Sequence, residues 1–110
     1  MSVEQLDVVD AVGVDVLSGE VILTVSDHLG WEAEEEHIAL LREKLNLYLR
    51  FVESGELVES YPAAAGRRVV VDVVGREQPS SAGRVFLENA SRTVTDANIT
   101  LRFRVLTEPS

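Results

Sequence analysis

Two residues that could do chemistry lie in a stretch that the sequence predicts to be an apolar helix face. In the predicted helix over residues 31–53, Lys44 and His37 fall near the middle of an arc of leucine and other apolar side chains. A charge in such an arc must be paired or reach water, because burying it alone costs several kcal/mol. We therefore expect the Lys44 ammonium to form an ion pair, with Asp72 as the first candidate and Asp15 as the second.

Lys44 has two further interpretations. Its side chain could pass Tyr48 and reach water, or it could be a catalytic lysine in a pocket. The motifs that accompany nucleophilic or phosphate chemistry are missing, since the chain has no Gly-x-Ser-x-Gly and no Gly-rich phosphate loop. The sequence thus predicts no catalytic residue and no cofactor, and it favours a protein that is not an enzyme.

Asp27, His28, Glu34 and His37 have the residue types of a metal site. Glu34 and His37 are three apart on the predicted helix and could face one ion, which Asp27 or His28 could approach from the preceding loop. The simpler interpretation is that Asp27 caps the helix and His37 is hydrogen-bonded at the edge of the core. Because the chain has two histidines and no cysteine, we predict no metal site.

Charge is unevenly distributed along the 110 residues, which carry a net charge of −9. Residues 1–60 hold 14 acidic and three basic residues, whereas residues 61–110 hold five acidic residues and seven arginines. An acidic chain repels phosphate, so we expect no nucleic-acid partner. No apolar stretch is long enough for a membrane span and the N-terminal residues do not resemble a signal peptide, so we expect a cytoplasmic protein without a membrane partner.

The order of predicted elements is ββαβαβ. Valine content and alternation predict strands, Ser54-Gly55 ends the first helix, Pro79-Ser80-Ser81 opens the second, and residues 56–66 form an irregular connection. These features predict one α+β domain over residues 1–110, a two-layer sandwich with a four-stranded mixed sheet and both helices on one face. The predicted strands are residues 8–15, 20–26, 67–75 and 99–106.

Alternation in the last strand points Arg102 and Arg104 to a sheet face without helices, where they form a solvated basic surface. The valine run in the third strand is typical of an interior strand. The residues that we expect to be buried are Val70, Val71, Leu41, Leu45, Phe86 and Phe103.

Several short motifs resemble those of a family of small bacterial proteins of unknown function. The resemblance covers roughly residues 20–106, implies a common fold and supplies no activity. It is carried by Asp27, His28, Leu29 and Trp31, by Glu35, Glu36 and His37, by Glu43 to Asn46, by Glu53, Ser54 and Gly55, and by Tyr61 and Pro62.

The most favoured function from sequence is a protein-binding or homodimerising module, because lopsided charge and an uncovered sheet face accompany the missing catalytic motifs. The alternative is a small enzyme or ligand-binding protein with a site around His37, Lys44 and Tyr48. Trp31 is expected to fix the entrance to the first helix, or else to be an exposed recognition anchor. The candidate polar cluster comprises Asp27, His28, Trp31, His37, Lys44, Tyr48 and Asp72.

Overall fold

The computed structural model of the protein describes residues 11–105. The chain forms four strands and three α-helices, in an α+β arrangement that agrees with the predicted order except for one short extra helix. In chain order the elements are β1 (Ala11–Val14), β2 (Val21–Asp27), α1 (Glu34–Glu53), α2 (Glu56–Ser60), a 3₁₀ turn (Pro62–Ala64), β3 (Val69–Gly75), α3 (Ser81–Asp96) and β4 (Ile99–Val105).

The sheet has the strand order β1-β2-β3-β4. β1 pairs antiparallel with β2, whereas β2, β3 and β4 are parallel to one another. The connections β2-α1-β3 and β3-α3-β4 step across the sheet in the same direction. Because such crossovers are right-handed, α1 and α3 lie on the same face and contact each other. The predicted mixed sheet with its helices on one face is confirmed.

The core lies between this sheet and the two long helices. Alternate residues of β2 (Val21, Leu23 and Val25) are fully buried, as the period of two requires for a strand with one covered face. Leu41 and Leu45 of α1 and Val71 of β3 are buried in this core as predicted, and Val70 is buried on the opposite face of the sheet. Phe86 and Phe103 are only partly buried, since they pack at the margin of the core.

α1 begins at Glu34, three residues later than predicted, and Asp27 does not cap it. Its N-cap is Ala33, which makes no capping side-chain hydrogen bond within residues 11–105. The acidic residues at Glu34, Glu35 and Glu36 instead place negative charge against the positive end of the helix dipole. α1 ends as predicted, because Gly55 adopts φ 88° directly after it.

The connection after α1 is more regular than the sequence suggests. The backbone N–H of Glu59 donates to the carbonyl of Gly55, so the turn that ends α1 also begins α2, and Leu57 of α2 is buried against the core. α3 opens as predicted, with the Ser80 hydroxyl accepting a hydrogen bond from the Gly83 N–H. Residues 8–10 and 106, which the sequence assigns to strands, lie outside the described residues.

Candidate functional site

His37 and Asp27 form a buried pair at the carboxyl end of β2. Asp27 is the last residue of that strand, and His37 lies in the first turn of α1, so both are placed by rigid elements. His37 Nε2 is 2.6 Å from Asp27 Oδ2, and His37 Nδ1 is 2.8 Å from the Gly30 carbonyl oxygen. Each side chain is 1% exposed. Both ring nitrogens of His37 are therefore occupied by protein groups.

The two hydrogen bonds fix how many protons this pair holds. A carbonyl oxygen can only accept, so Nδ1 must carry a hydrogen and donate it to Gly30. The contact between Nε2 and the carboxylate needs one more proton, which sits on either the ring or the carboxyl group. In both cases the pair has no net charge, and the backbone N–H of Leu29 donates to the other carboxyl oxygen of Asp27. This arrangement explains how His37 can occupy the apolar arc of α1.

Trp31 packs between this pair and α3. Its ring stacks on His37 with 3.7 Å between ring centroids and 22° between planes. On its other side the ring lies so close to Gly83 that a Cβ there would be 2.6 Å from Trp31 Cζ3. Trp31 thus packs the loop between β2 and α1 against both α1 and α3. His28, in the same loop, is exposed.

A shallow cavity of about 340 Å³ lies beside His37. Its lining includes Leu29, Leu40, Glu32 and Glu36, and both ring nitrogens of His37 are already bonded. Within residues 11–105 no group of three or more histidine, aspartate and glutamate side chains could hold a metal ion. Glu34, a candidate ligand from the sequence, does not join His37 and Asp27 in such a group.

Lys44 and Tyr48 lie deeper in the core than a site open to substrate would require. Both side chains are fully buried, with the Lys44 Nζ 5.6 Å from the centroid of the Tyr48 ring. The Tyr48 hydroxyl donates to the carbonyl of Thr24 at 2.9 Å, which ties α1 to β2. The structure brings these residues together with His37 on one helix face, but that face is packed against the sheet.

The predicted ion pair between Lys44 and Asp72 is not formed. Asp72 alternates with Val71 and Val73, which face the helices, so its carboxylate points to the opposite face of the sheet. There it accepts hydrogen bonds from Arg102 Nε at 3.4 Å and Arg104 Nε at 3.0 Å. These half-exposed arginines lie on the predicted open face. Successive side chains of a strand point to opposite faces of the sheet, so Asp72 lies on the face away from Lys44. The continuous valine run hides this alternation in the sequence.

Asp15, the second candidate partner, belongs to the turn between β1 and β2. Its carboxylate accepts hydrogen bonds from the backbone N–H groups of Leu17 and Ser18 at 2.9 and 3.4 Å. These two bonds lower the pKa of the Asp15 carboxyl below its ordinary value. Asp15 therefore stabilises its own turn.

A long groove runs over the outer surface of the helix layer, between α1 and α3. Its volume is about 470 Å³, and eight of the twelve residues that line it are apolar, among them Ile38, Leu49 and Val85. The Arg42 guanidinium spans the groove and lies 5.6 Å from the centroid of the Phe86 ring. No acidic residue is among those twelve, so the lining carries one positive charge.

A family model described as a family of unknown function (DUF6572) matches residues 1–107. The chain belongs to this family. The resemblance that its sequence shows to a family of unknown function is thereby confirmed. No curated protein and no solved structure matches the chain.

Membership of DUF6572 brings no activity with it, so function must be argued from geometry. Sequence reasoning about this DUF6572 chain missed the groove. The sequence treats the apolar residues of α1 as one broad arc, yet that arc is wide enough to face both the sheet and a second helix. The signal was present in α3, where Val85 and Phe86 are adjacent and cannot both face the sheet.

Proposed function

We propose that the chain is a non-enzymatic protein-binding module whose groove between α1 and α3 takes a protruding segment of a protein. That segment carries aliphatic side chains and a carboxylate. The observation that carries the proposal is the groove itself, which is lined mainly by apolar residues and open to solvent. Val85 on its wall is 56% exposed. Contiguous exposed apolar surface is typical of interaction sites.

The dimensions of the groove suit a protein segment. α1 contributes residues from Ile38 to Leu49 and α3 contributes residues from Ala82 to Val94. At 1.5 Å per residue the groove is roughly 17 Å long, about three helical turns. Its cavity volume falls within the range of roughly 300–1,000 Å³ that binding pockets have. Leu45 and Val94 are buried at its floor, so an occupant meets packed side chains that need no rearrangement.

The positive charge of the groove favours an occupant that carries a negative charge. Among the described residues of the lining, Arg42 is the only charged one, and its guanidinium lies over the Phe86 ring. An incoming carboxylate would pair with this guanidinium, and a basic segment would be repelled. Two grooves cannot fill each other, because both are concave, so the occupant must be convex.

The alternative of a small enzyme has less support. Lys44 and Tyr48 are fully buried, and both nitrogens of His37 are bonded to protein groups. A general base or nucleophile needs hydrogen-bonding contact with its substrate.

Among the described residues no helix is long and apolar enough to cross a membrane. We place the binding module in a bacterial cytoplasm, on the charge and the missing cysteine of the chain.

A helical peptide tests the proposal directly. The probe is a capped fifteen-residue peptide with leucines at positions i, i+4 and i+7 and one glutamate beside them, titrated into the labelled protein by NMR. We expect the amide shifts to be confined to the facing sides of α1 and α3. Val85→Lys should weaken binding about tenfold or more, because it places a cation on the apolar wall.

Two controls make the result specific. Val58→Lys changes another exposed valine, 42% exposed on α2 and outside the groove lining, and it should leave the peptide affinity unchanged. A peptide with lysine in place of the glutamate should bind more weakly. Shifts scattered over the whole surface, or equal effects of the two valine variants, would show that the groove is not a binding site.

A further inference from the structure

The turn between β1 and β2 presents two fully exposed aliphatic side chains. Val16 is 93% and Leu17 is 95% exposed. They lie at the end of the hairpin, in residues 15–18, which we name the hairpin tip. Single exposed apolar residues are common, but two adjacent ones with almost no contact to their own chain form a protruding apolar surface.

The hairpin tip is held in one conformation by its own hydrogen bonds. The backbone N–H of Gly19 donates to the Asp15 carbonyl at 2.7 Å, and the N–H of Asp15 donates to the Glu20 carbonyl at 2.8 Å. Gly19 adopts φ 76°, and its carbonyl accepts a hydrogen bond from Arg67 Nη1 at 2.9 Å. The turn is thereby fixed to the segment before β3. A rigid protrusion loses little conformational entropy on binding.

The hairpin tip and the groove are complementary in shape, polarity and charge. The hairpin tip is convex and aliphatic, and the groove is concave and apolar. Beside Val16 the tip carries the carboxylate of Asp15, which its turn hydrogen bonds keep ionised. The groove carries the guanidinium of Arg42. The tip therefore has each feature that the proposed function requires of an occupant.

We infer that the chain binds a second copy of itself, with Val16 and Leu17 of one copy inserted into the groove between α1 and α3 of the other. The inference rests on the proposed function, since it names the partner of the same groove. Two such contacts related by a two-fold axis close a dimer, whereas a one-way contact propagates along a row of molecules. Either assembly uses the same two surfaces. Each contact is small, so the association is weak and concentration-dependent.

A complementation experiment tests the inference. Sedimentation of the wild-type protein between about 10 μM and 1 mM should show reversible self-association. The tip variant, Val16→Ser with Leu17→Ser, and the groove variant, Val85→Lys, should each remain monomeric at the same concentrations. All three changes are at exposed positions, and equal melting temperatures will establish that the variants fold.

Mixing the two variants is the decisive measurement. The tip variant keeps its groove and the groove variant keeps its tip, so an equimolar mixture should regain one contact and form a 1:1 complex. Val58→Lys, the matched control, should self-associate like the wild type. A mixture that stays monomeric would overturn the inference, as would self-association that survives in the tip variant.

The two proposals fail in different ways. If the helical peptide binds the groove while the wild-type protein stays monomeric at about 1 mM, the groove serves a segment of a different protein and the inference is wrong. If the wild-type protein self-associates, but the peptide does not bind and Val85→Lys has no effect, the proposed groove function is wrong and copies meet elsewhere.

Discussion

Replacing Asp27 with asparagine should cost less stability than removing either member of the buried pair. The side-chain nitrogen of the introduced asparagine would occupy the position of Oδ2 and donate to His37 Nε2, while its oxygen would still accept from the Leu29 N–H. A neutral imidazole then satisfies both the amide and the Gly30 carbonyl. The pair changes from a charge-assisted to a neutral hydrogen bond, so we expect a loss of about 1 kcal/mol in the free energy of unfolding.

Removing one partner has a larger effect because it leaves the other buried and unsatisfied. His37→Leu leaves the Asp27 carboxylate 1% exposed without its imidazole, at a cost of about 3–5 kcal/mol. It also removes the ring that stacks on Trp31, worth about 0.5–1.5 kcal/mol. Asp27→Ala leaves the Nε2 lone pair of a neutral ring and the Leu29 N–H without their partner, but no buried charge, at a cost of about 1–3 kcal/mol.

Urea unfolding measures this order. Circular dichroism follows the whole fold, while the fluorescence of Trp31, the single tryptophan of the chain, follows the site itself. Coincident transitions and an unchanged dependence on urea would establish that the free energies are comparable. If Asp27→Asn is as damaging as His37→Leu, the expected order is refuted, because the pair would then depend on an ionic charge that asparagine lacks.

Three further predictions concern packing, charge and independence of sites. Gly83→Ala should destabilise the protein by about 1–3 kcal/mol in thermal unfolding, since its Cβ would clash with Trp31, and equal or higher stability would contradict this packing. The pKa of the Asp15 carboxyl, measured by NMR titration, should lie below its ordinary value of 3.8. The contribution of the ionised carboxylate to the stability of the fold is therefore present above this pH and lost as the pH falls through the lowered pKa. Asp15→Asn should abolish this pH dependence of stability. In a double-mutant cycle, the effects of Lys44→Met and Asp72→Asn on the free energy of unfolding should add within about 0.5 kcal/mol, because the sheet lies between the two side chains. A coupling energy above about 1 kcal/mol would contradict this placement.

Periodicity and connection rules were sufficient to predict most of the fold. The apolar period placed His37, Leu41 and Lys44 on the buried side of α1, where the structure has them. The order of the elements and the alternation in the last strand predicted both helices on one face. The short helix α2 was missed because five residues are too few to show a helical repeat of apolar side chains. Its first turn also depends on a hydrogen bond to the Gly55 carbonyl, which the sequence does not reveal.

The candidate site was harder to predict because its pairs depend on strand register. Asp72 was matched with Lys44 as the one charge in a valine run, but register places it beside Arg102 on the face opposite the helices. The Asp27–His37 pair spans ten residues and depends on the backward turn of the chain at Gly30. Sequence placed both residues near the helix entrance without revealing that they bind each other.

The parallel sheet has a consequence for how the chain reaches its folded state. β2 pairs Val21 with Val69, and β3 pairs Val69 with Ile99, so the two parallel ladders close over 48 and 30 residues. Strands that are distant in sequence pair slowly, because the chain loses the entropy of loop closure before the stabilising contacts form. Until then the valine run of β3 is an unpaired segment with high β-propensity, of the kind that joins neighbouring chains. The carboxylate of Asp72 interrupts this run, and a charge within such a segment opposes its pairing with neighbouring chains.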